Sequence, residues 1–83
     1  MPRYFFHTQT DSRFSDEEGV DCAGPLAARR TAIATCGEIL KDCAETFWGS
    51  RPWSVTVTDA NGLILWEIMM DGTSSGAAAV LDR

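Results

Sequence analysis

The sequence predicts an α+β domain of two layers, an antiparallel sheet of about four strands with one helix packed on one face, in the order β-β-α-β-β. Three observations lead there. Aromatic-rich segments of strand character stand at Arg3–Thr8 and Trp53–Met70, each broken by a polar turn. Between them Pro25 opens a stretch whose apolar residues recur at helical spacing. With 83 residues there is room for one domain only.

The first strand, Arg3-Tyr4-Phe5-Phe6-His7-Thr8, is followed by the polar turn Gln9-Thr10-Asp11-Ser12, and Arg13 to Asp16 can return as a second strand. A four-residue loop sets Thr8 against Arg13 and His7 against Phe14. Phe5, His7, Phe14 and Asp16 would then share one face, and Tyr4, Phe6 and Ser15 the other. Both faces carry aromatics, so the pattern leaves open which one meets the core.

Asp16 to Asp21 reads as an acidic turn leading to the helix start at Pro25. From there Leu26, Ile33, Cys36, Leu40, Cys43 and Phe47 form the expected core-facing stripe, widened by Ala32 and Ile39. Arg29, Arg30, Glu38, Lys41, Asp42 and Glu45 fall on the solvent side, and Gly49 with Pro52 ends the helix. Trp53 to Thr58 alternates apolar and polar, Asp59-Ala60-Asn61-Gly62 is a turn, and Leu63 to Met70 runs back. A four-residue loop places Trp53, Val55 and Val57 opposite Ile68, Trp66 and Ile64, six apolar side chains on one face. The domain is expected to span residues 1–71, with 72–83 a flexible tail of small residues that anchors no core.

Twelve acids against seven bases give a formal charge of −5. Nucleic-acid affinity depends on Lys and Arg neutralising phosphates, so the balance works against nucleic acid as a partner. An anionic membrane surface is disfavoured for the same reason. The opening residues do not read as a secretory signal, and no apolar run reaches the length of a membrane span. Cys22, Cys36 and Cys43 are an odd number and are expected as free thiols in a reducing, cytoplasmic setting.

Candidate sites are few. His7 is the only histidine, and the hairpin register above puts Asp16 on its face, with Glu17 and Glu18 following. A His–carboxylate pair can do acid–base work, yet no Ser or Cys nucleophile adjoins it, and a structural hydrogen bond is the simpler reading. Zinc is not expected: seven residues along a helix separate Cys36 from Cys43 by about 10.5 Å, and one ion cannot reach both. Asp59-Ala60-Asn61-Gly62 starts like a calcium loop but Leu63 breaks the ligand pattern. Trp53 and Trp66 are assigned to the core, leaving Trp48 as the exposed tryptophan. No cofactor is expected.

Met1-Pro2-Arg3-Tyr4-Phe5-Phe6-His7, then Asp16-Glu17-Glu18-Gly19-Val20, an Ala- and Arg-containing helix, and Val57-Thr58-Asp59-Ala60-Asn61-Gly62 stand in one order here. Together they resemble a family of small alphaproteobacterial proteins classed as a domain of unknown function. The likeness covers residues 1 to about 70. It implies a bacterial, cytoplasmic, single-domain protein and carries no activity or catalytic residue with it. Cys36, Gly37 and Cys43 depart from that family's helix.

One helix covers one face of a sheet, so a second face is expected to be left bare, with Tyr4, Phe6, Leu63, Leu65 and Trp48 as candidate interface residues. The leading expectation is a non-enzymatic interaction or regulatory module that binds a protein partner or a second copy, through the bare sheet face or its edge strands. An antitoxin-like or inhibitory domain whose acidic loop caps a basic protein comes second. A small enzyme using His7 with an acidic residue comes third.

Overall fold

The computed structural model describes residues 1–81. Its order is β1 (Arg3–Gln9), β2 (Arg13–Phe14), β3 (Val20–Asp21), α1 (Pro25–Asp42), α2 (Ala44–Ser50), β4 (Trp53–Thr58), β5 (Ile64–Met70) and α3 (Gly76–Ala79). The class is α+β and the sheet is antiparallel, ordered β2-β1-β4-β5 with β3 also pairing with β1. It therefore has five strands where four were expected. The extra one lies in the acidic turn, where Val20 pairs with Tyr4 and Asp21 with Arg3.

Both hairpins form, each in a register other than the expected one. In the first, Thr8 faces Phe14 and Gln9 faces Arg13, so the loop is Thr10–Ser12 and shorter by one residue. In the second, Trp53, Val55 and Val57 face Met70, Ile68 and Trp66, and an irregularity between Val57 and Thr58 leaves Leu65 as the extra residue. A shift of two keeps Trp66 and Ile68 on the core face, because side chains alternate with period two. The extra residue Leu65 reverses the alternation before Trp66 and so puts Ile64 on the opposite face, against Thr58, while the shift brings Met70 against Trp53. Asp59 fixes the turn by accepting the Asn61 and Leu63 N–H groups at 2.9 and 3.0 Å, and Gly62 takes φ +82°.

The helical layer differs more. Residues 25–50 form two helices that meet at Cys43, whose φ of −123° and ψ of 31° end α1 and begin α2. The buried residues of α1 are Ala28, Ala32 and Cys36, with Ala27 and Ile39 partly buried beside them. Leu26 and Ile33, expected in the core stripe, are 67% and 58% exposed, and Cys43 is exposed as well. The sheet explains this. It supplies Tyr4, Phe6, Trp53, Val55 and Val57, all buried, and Trp66 beside them. Such large side chains fill the space between the layers, so the helix approaches with its smallest residues.

β1 sends Tyr4 and Phe6 under the helix, each 6% exposed. They are core residues and cannot serve the interface they were expected to serve. The opposite face of the sheet is mixed: His7, Gln9, Ser54, Thr56, Thr58 and Glu67 stand on it together with the apolar Phe5, Ile64 and Met69. The segment after Asp71 is also less loose at its start than its composition suggests. Gly72 lies so close beneath Trp48 that an added Cβ would stand 2.9 Å from the ring, and Arg51 Nε donates to its carbonyl at 2.6 Å. Residues 76–79 form a single helical turn, with the Ser75 hydroxyl accepting the Ala78 N–H at 3.4 Å. The last two residues of the expected tail lie outside the described residues.

Candidate functional site: the two sheet edges and the open face

A sheet of this order has two outer edges, and they are treated very differently. The outer edge of β1 is covered along its length. Cys22 N–H donates to the Pro2 carbonyl at 3.0 Å, β3 pairs with Arg3 and Tyr4, and β2 pairs with Thr8 and Gln9. The gap between β3 and β2 exposes the Phe6 N–H, and the Asp16 carboxylate fills it at 3.1 Å. The other oxygen of Asp16 accepts the Glu18 and Gly19 N–H groups, each at 3.1 Å. Burial alone would raise this carboxyl. The backbone N–H groups of Gly19, Phe6 and Glu18 outweigh it, and Asp16 is held below its ordinary value.

Gly19 closes the same clasp. Its φ is +74°, and a Cβ there would meet Arg3 Cγ at 2.8 Å, Phe5 Cε2 at 2.9 Å and the Tyr4 carbonyl oxygen at 2.9 Å. Only glycine satisfies both the left-handed backbone and that approach. Arg3 then ties the outside, with an ion pair to Asp21 at 3.2 Å and a hydrogen bond to the Glu18 carbonyl.

His7 is hydrogen-bonded into the clasp. Its Nδ1 accepts the Asp16 backbone N–H at 3.1 Å, and its Nε2 lies 3.1 Å from Thr58 Oγ1. With Nδ1 accepting, the ring proton sits on Nε2 and the threonine hydroxyl is the acceptor. A base that activates a hydroxyl needs the reverse polarity. The Asp16 carboxylate meanwhile is committed to three backbone donors. The structure thus brings His7 and Asp16 together through main chain, and leaves the Glu17 and Glu18 side chains exposed with no hydrogen bond among the described residues.

The open face of the sheet forms a shallow cleft of about 380 Å³ lined by His7, Gln9, Arg13, Thr56, Ile64 and Glu67, among others. Thr56 donates to the Glu67 carboxylate at 3.3 Å. Among the described residues no group of His, Cys, Asp and Glu is placed to hold a metal ion. The thiols of Cys22, Cys36 and Cys43 are free, and burial pushes that of Cys36 up, away from its reactive thiolate form.

The second edge is β5, and it is bare. It pairs with β4 only, and among the described residues no hydrogen bond reaches its outer side. Seven residues, Ile-Leu-Trp-Glu-Ile-Met-Met, run along it with one charge and no proline. Ile64 and Met69 are largely exposed beside Glu67. Of the expected interface residues, Leu63 is exposed in the turn before this strand and Leu65 is partly buried against the core. Trp48 is half exposed over Gly72, just past the end of β5, and Arg51 lies over its ring at 4.9 Å.

Sequence reasoning missed Gly19 and Thr58 in the clasp, and Ile64 and Met69 on the bare edge. Asp16 followed by Gly19 was a signal for the first, since an aspartate commonly caps backbone N–H groups two and three residues on. No such local signal exists for an edge, which is a property of strand order.

Among the described residues no helix is long and apolar enough to cross a membrane. No curated protein and no solved structure gives a match to this chain. A family model does, over residues 3–71, which takes in β1 through β5 and so both sheet edges. On that match the chain belongs to the family described as Domain of unknown function (DUF6894).

Proposed function

We propose that this chain is a non-enzymatic homotypic interaction module in which two copies join β5 to β5 in one continuous antiparallel sheet. The observation that carries the reading is the contrast of edges: one is closed by two strands and a carboxylate, the other offers a seven-residue apolar strand with no partner among the described residues. An unpaired edge of that kind is a template for another strand, and proteins that stay single blunt it with lysine, proline or cover. The charge of −5 remains an argument against nucleic acid and anionic membranes.

The register follows from elementary constraints. A two-fold axis normal to the sheet keeps each residue on its own face, so the axis passes through a residue of β5. Through Glu67 it would set two carboxylates opposite each other, which destabilises a pair of strands. Through Trp66 it would run the pairing into the irregularity at Leu65. Through Ile68 it sets Trp66 opposite Met70 of the second copy and Glu67 opposite Met69.

Met69→Asp tests this, because the residue is 63% exposed and its loss leaves the core untouched. It would place an aspartate against Glu67 of the other copy, and the mass seen by light scattering is expected to step down. Met69→Lys, which meets the same Glu67 as a cation, is expected to keep the wild-type mass. A wild-type chain that stays strictly monomeric at high concentration, or equal masses for the Asp variant and wild type, would sink the proposal.

A further inference from the structure

We infer that the cleft on the open face of the sheet binds a free α-amino acid, its carboxylate on Arg13 and its ammonium on Glu67. This goes beyond the β5 pairing and does not depend on it, because joining β5 to β5 lengthens the sheet and leaves its faces open. The cleft holds about 380 Å³, near the small end of ligand pockets, which start at about 300 Å³. Its lining has one cation with a fixed charge, Arg13 on β2, and one anion, Glu67 on β5. Neither makes an ion pair among the described residues.

The strand register explains why these two charges stay apart. Arg13 stands in one row with Gln9, Ser54 and Met69, and Glu67 in the next row with Thr56 and His7. Three strand spacings across and two residues along put their Cα atoms about 16 Å apart. Long side chains leaning in from both ends leave a gap that a small zwitterion fills. The guanidinium fork matches a carboxylate with two parallel hydrogen bonds, and the Ser54 hydroxyl beside it is a further donor. At the other end Glu67 is engaged only by the Thr56 hydroxyl, at 3.3 Å, and keeps acceptor capacity for an ammonium group. His7 does not compete for either end, since its two ring nitrogens are spent on the Asp16 N–H and on Thr58. Ile64, on the same strand as Glu67 and 63% exposed, lines the cleft with apolar surface. That favours an aliphatic side chain on the ligand.

Titration of the full chain followed by amide NMR shifts tests the site with three probes. L-leucine carries both charges, leucinamide only the ammonium and N-acetylleucine only the carboxylate. Leucine is expected to shift the amides of β1, β4 and β5 around the cleft and to saturate at about millimolar concentration. Each single-charge probe is expected to bind about fivefold more weakly. The variants carry the assignment of ends. Arg13→Gln is expected to bind leucine no better than leucinamide, and Glu67→Gln to bind it no better than N-acetylleucine. Both side chains are exposed, and circular dichroism verifies that their replacement leaves the fold intact. Absence of any shift at about 50 mM leucine, or variants that bind it as wild type does, overturns the proposal. Leucinamide binding as tightly as leucine would make the cleft a site for amines or peptide N-termini. N-acetylleucine doing so would make it one for carboxylates or peptide C-termini. Either result overturns the assignment to a free amino acid. None of these outcomes bears on the β5 pairing, which is read from the mass by light scattering.

Discussion

The outer sides of β1 and β5, with β4 between those two strands, show opposite solutions to the same problem. Every extended strand presents a row of N–H and C=O groups that must find partners. On β1 that row is met by main chain from β2 and β3, and by a carboxylate where neither reaches. On β5 nothing in the described chain meets it. The difference teaches what the Asp16-Glu17-Glu18-Gly19 segment is for: it is edge protection, built locally and held in place by His7. It also makes the bareness of β5 informative. The molecule has the means to close an edge and uses them on one side only.

The largest effect should come from breaking the closed edge at its tightest point. Gly19→Ala forces a side chain into the left-handed region and against the Tyr4 carbonyl oxygen at 2.9 Å. A loss of about 3 kcal/mol in denaturant unfolding is expected, combining backbone strain with the clash. A loss below about 1 kcal/mol would show that the clasp is not held as described.

Asp16 comes next. Asp16→Ala leaves the Phe6, Glu18 and Gly19 N–H groups without their acceptor, and about 2 kcal/mol of stability should go with it. The same carboxylate gives the edge a pH signature. Its folded value is depressed below the ordinary 3.8. The stabilisation is therefore complete above that ordinary value and is lost as the pH falls through the folded one. Unfolding curves of wild type and Asp16→Ala should be furthest apart at about pH 6 and converge as the pH falls below about 4. A gap that stays constant down to about pH 2 would contradict the assignment.

How much of this was legible beforehand depends on whether the signal was local. Alternation along Trp53–Thr58 and the Asp59–Gly62 turn are local, and the hairpin they imply is present. Its register was not legible, because the irregularity at Leu65 changes the count across the turn. The helix was legible as a helix, and Ala32, Cys36 and Ile39 of its expected stripe do face the core, whereas Leu26, Ile33 and Cys43 do not. Choosing the largest apolar residues as the buried ones points to Leu26 and Ile33, whereas the interior took Ala28, Ala32 and Cys36. Volume is shared between layers, and a sheet already carrying Tyr4, Phe6 and Trp53 leaves little for the helix. The same sharing explains why Tyr4 and Phe6 were available to be mistaken for a surface. His7 and Asp16 were recognised as neighbours from the hairpin, but their contact runs through the Asp16 N–H, which no side-chain pattern encodes.

The smallest expected effect distinguishes a clasp from a docking loop. Asp16 and Gly19 are held by the edge they close, while Glu17 and Glu18 between them expose carboxylates that bond to nothing in the described chain. If the acidic segment exists to close β1, then Glu17→Gln with Glu18→Gln should change unfolding stability by less than about 0.5 kcal/mol. It should leave the assembly mass unchanged too, since neither residue touches β5. A basic protein captured by the wild-type chain and lost by this double variant would give those two carboxylates a partner. The acidic loop would then be a second working surface, built on the edge that Asp16 keeps closed.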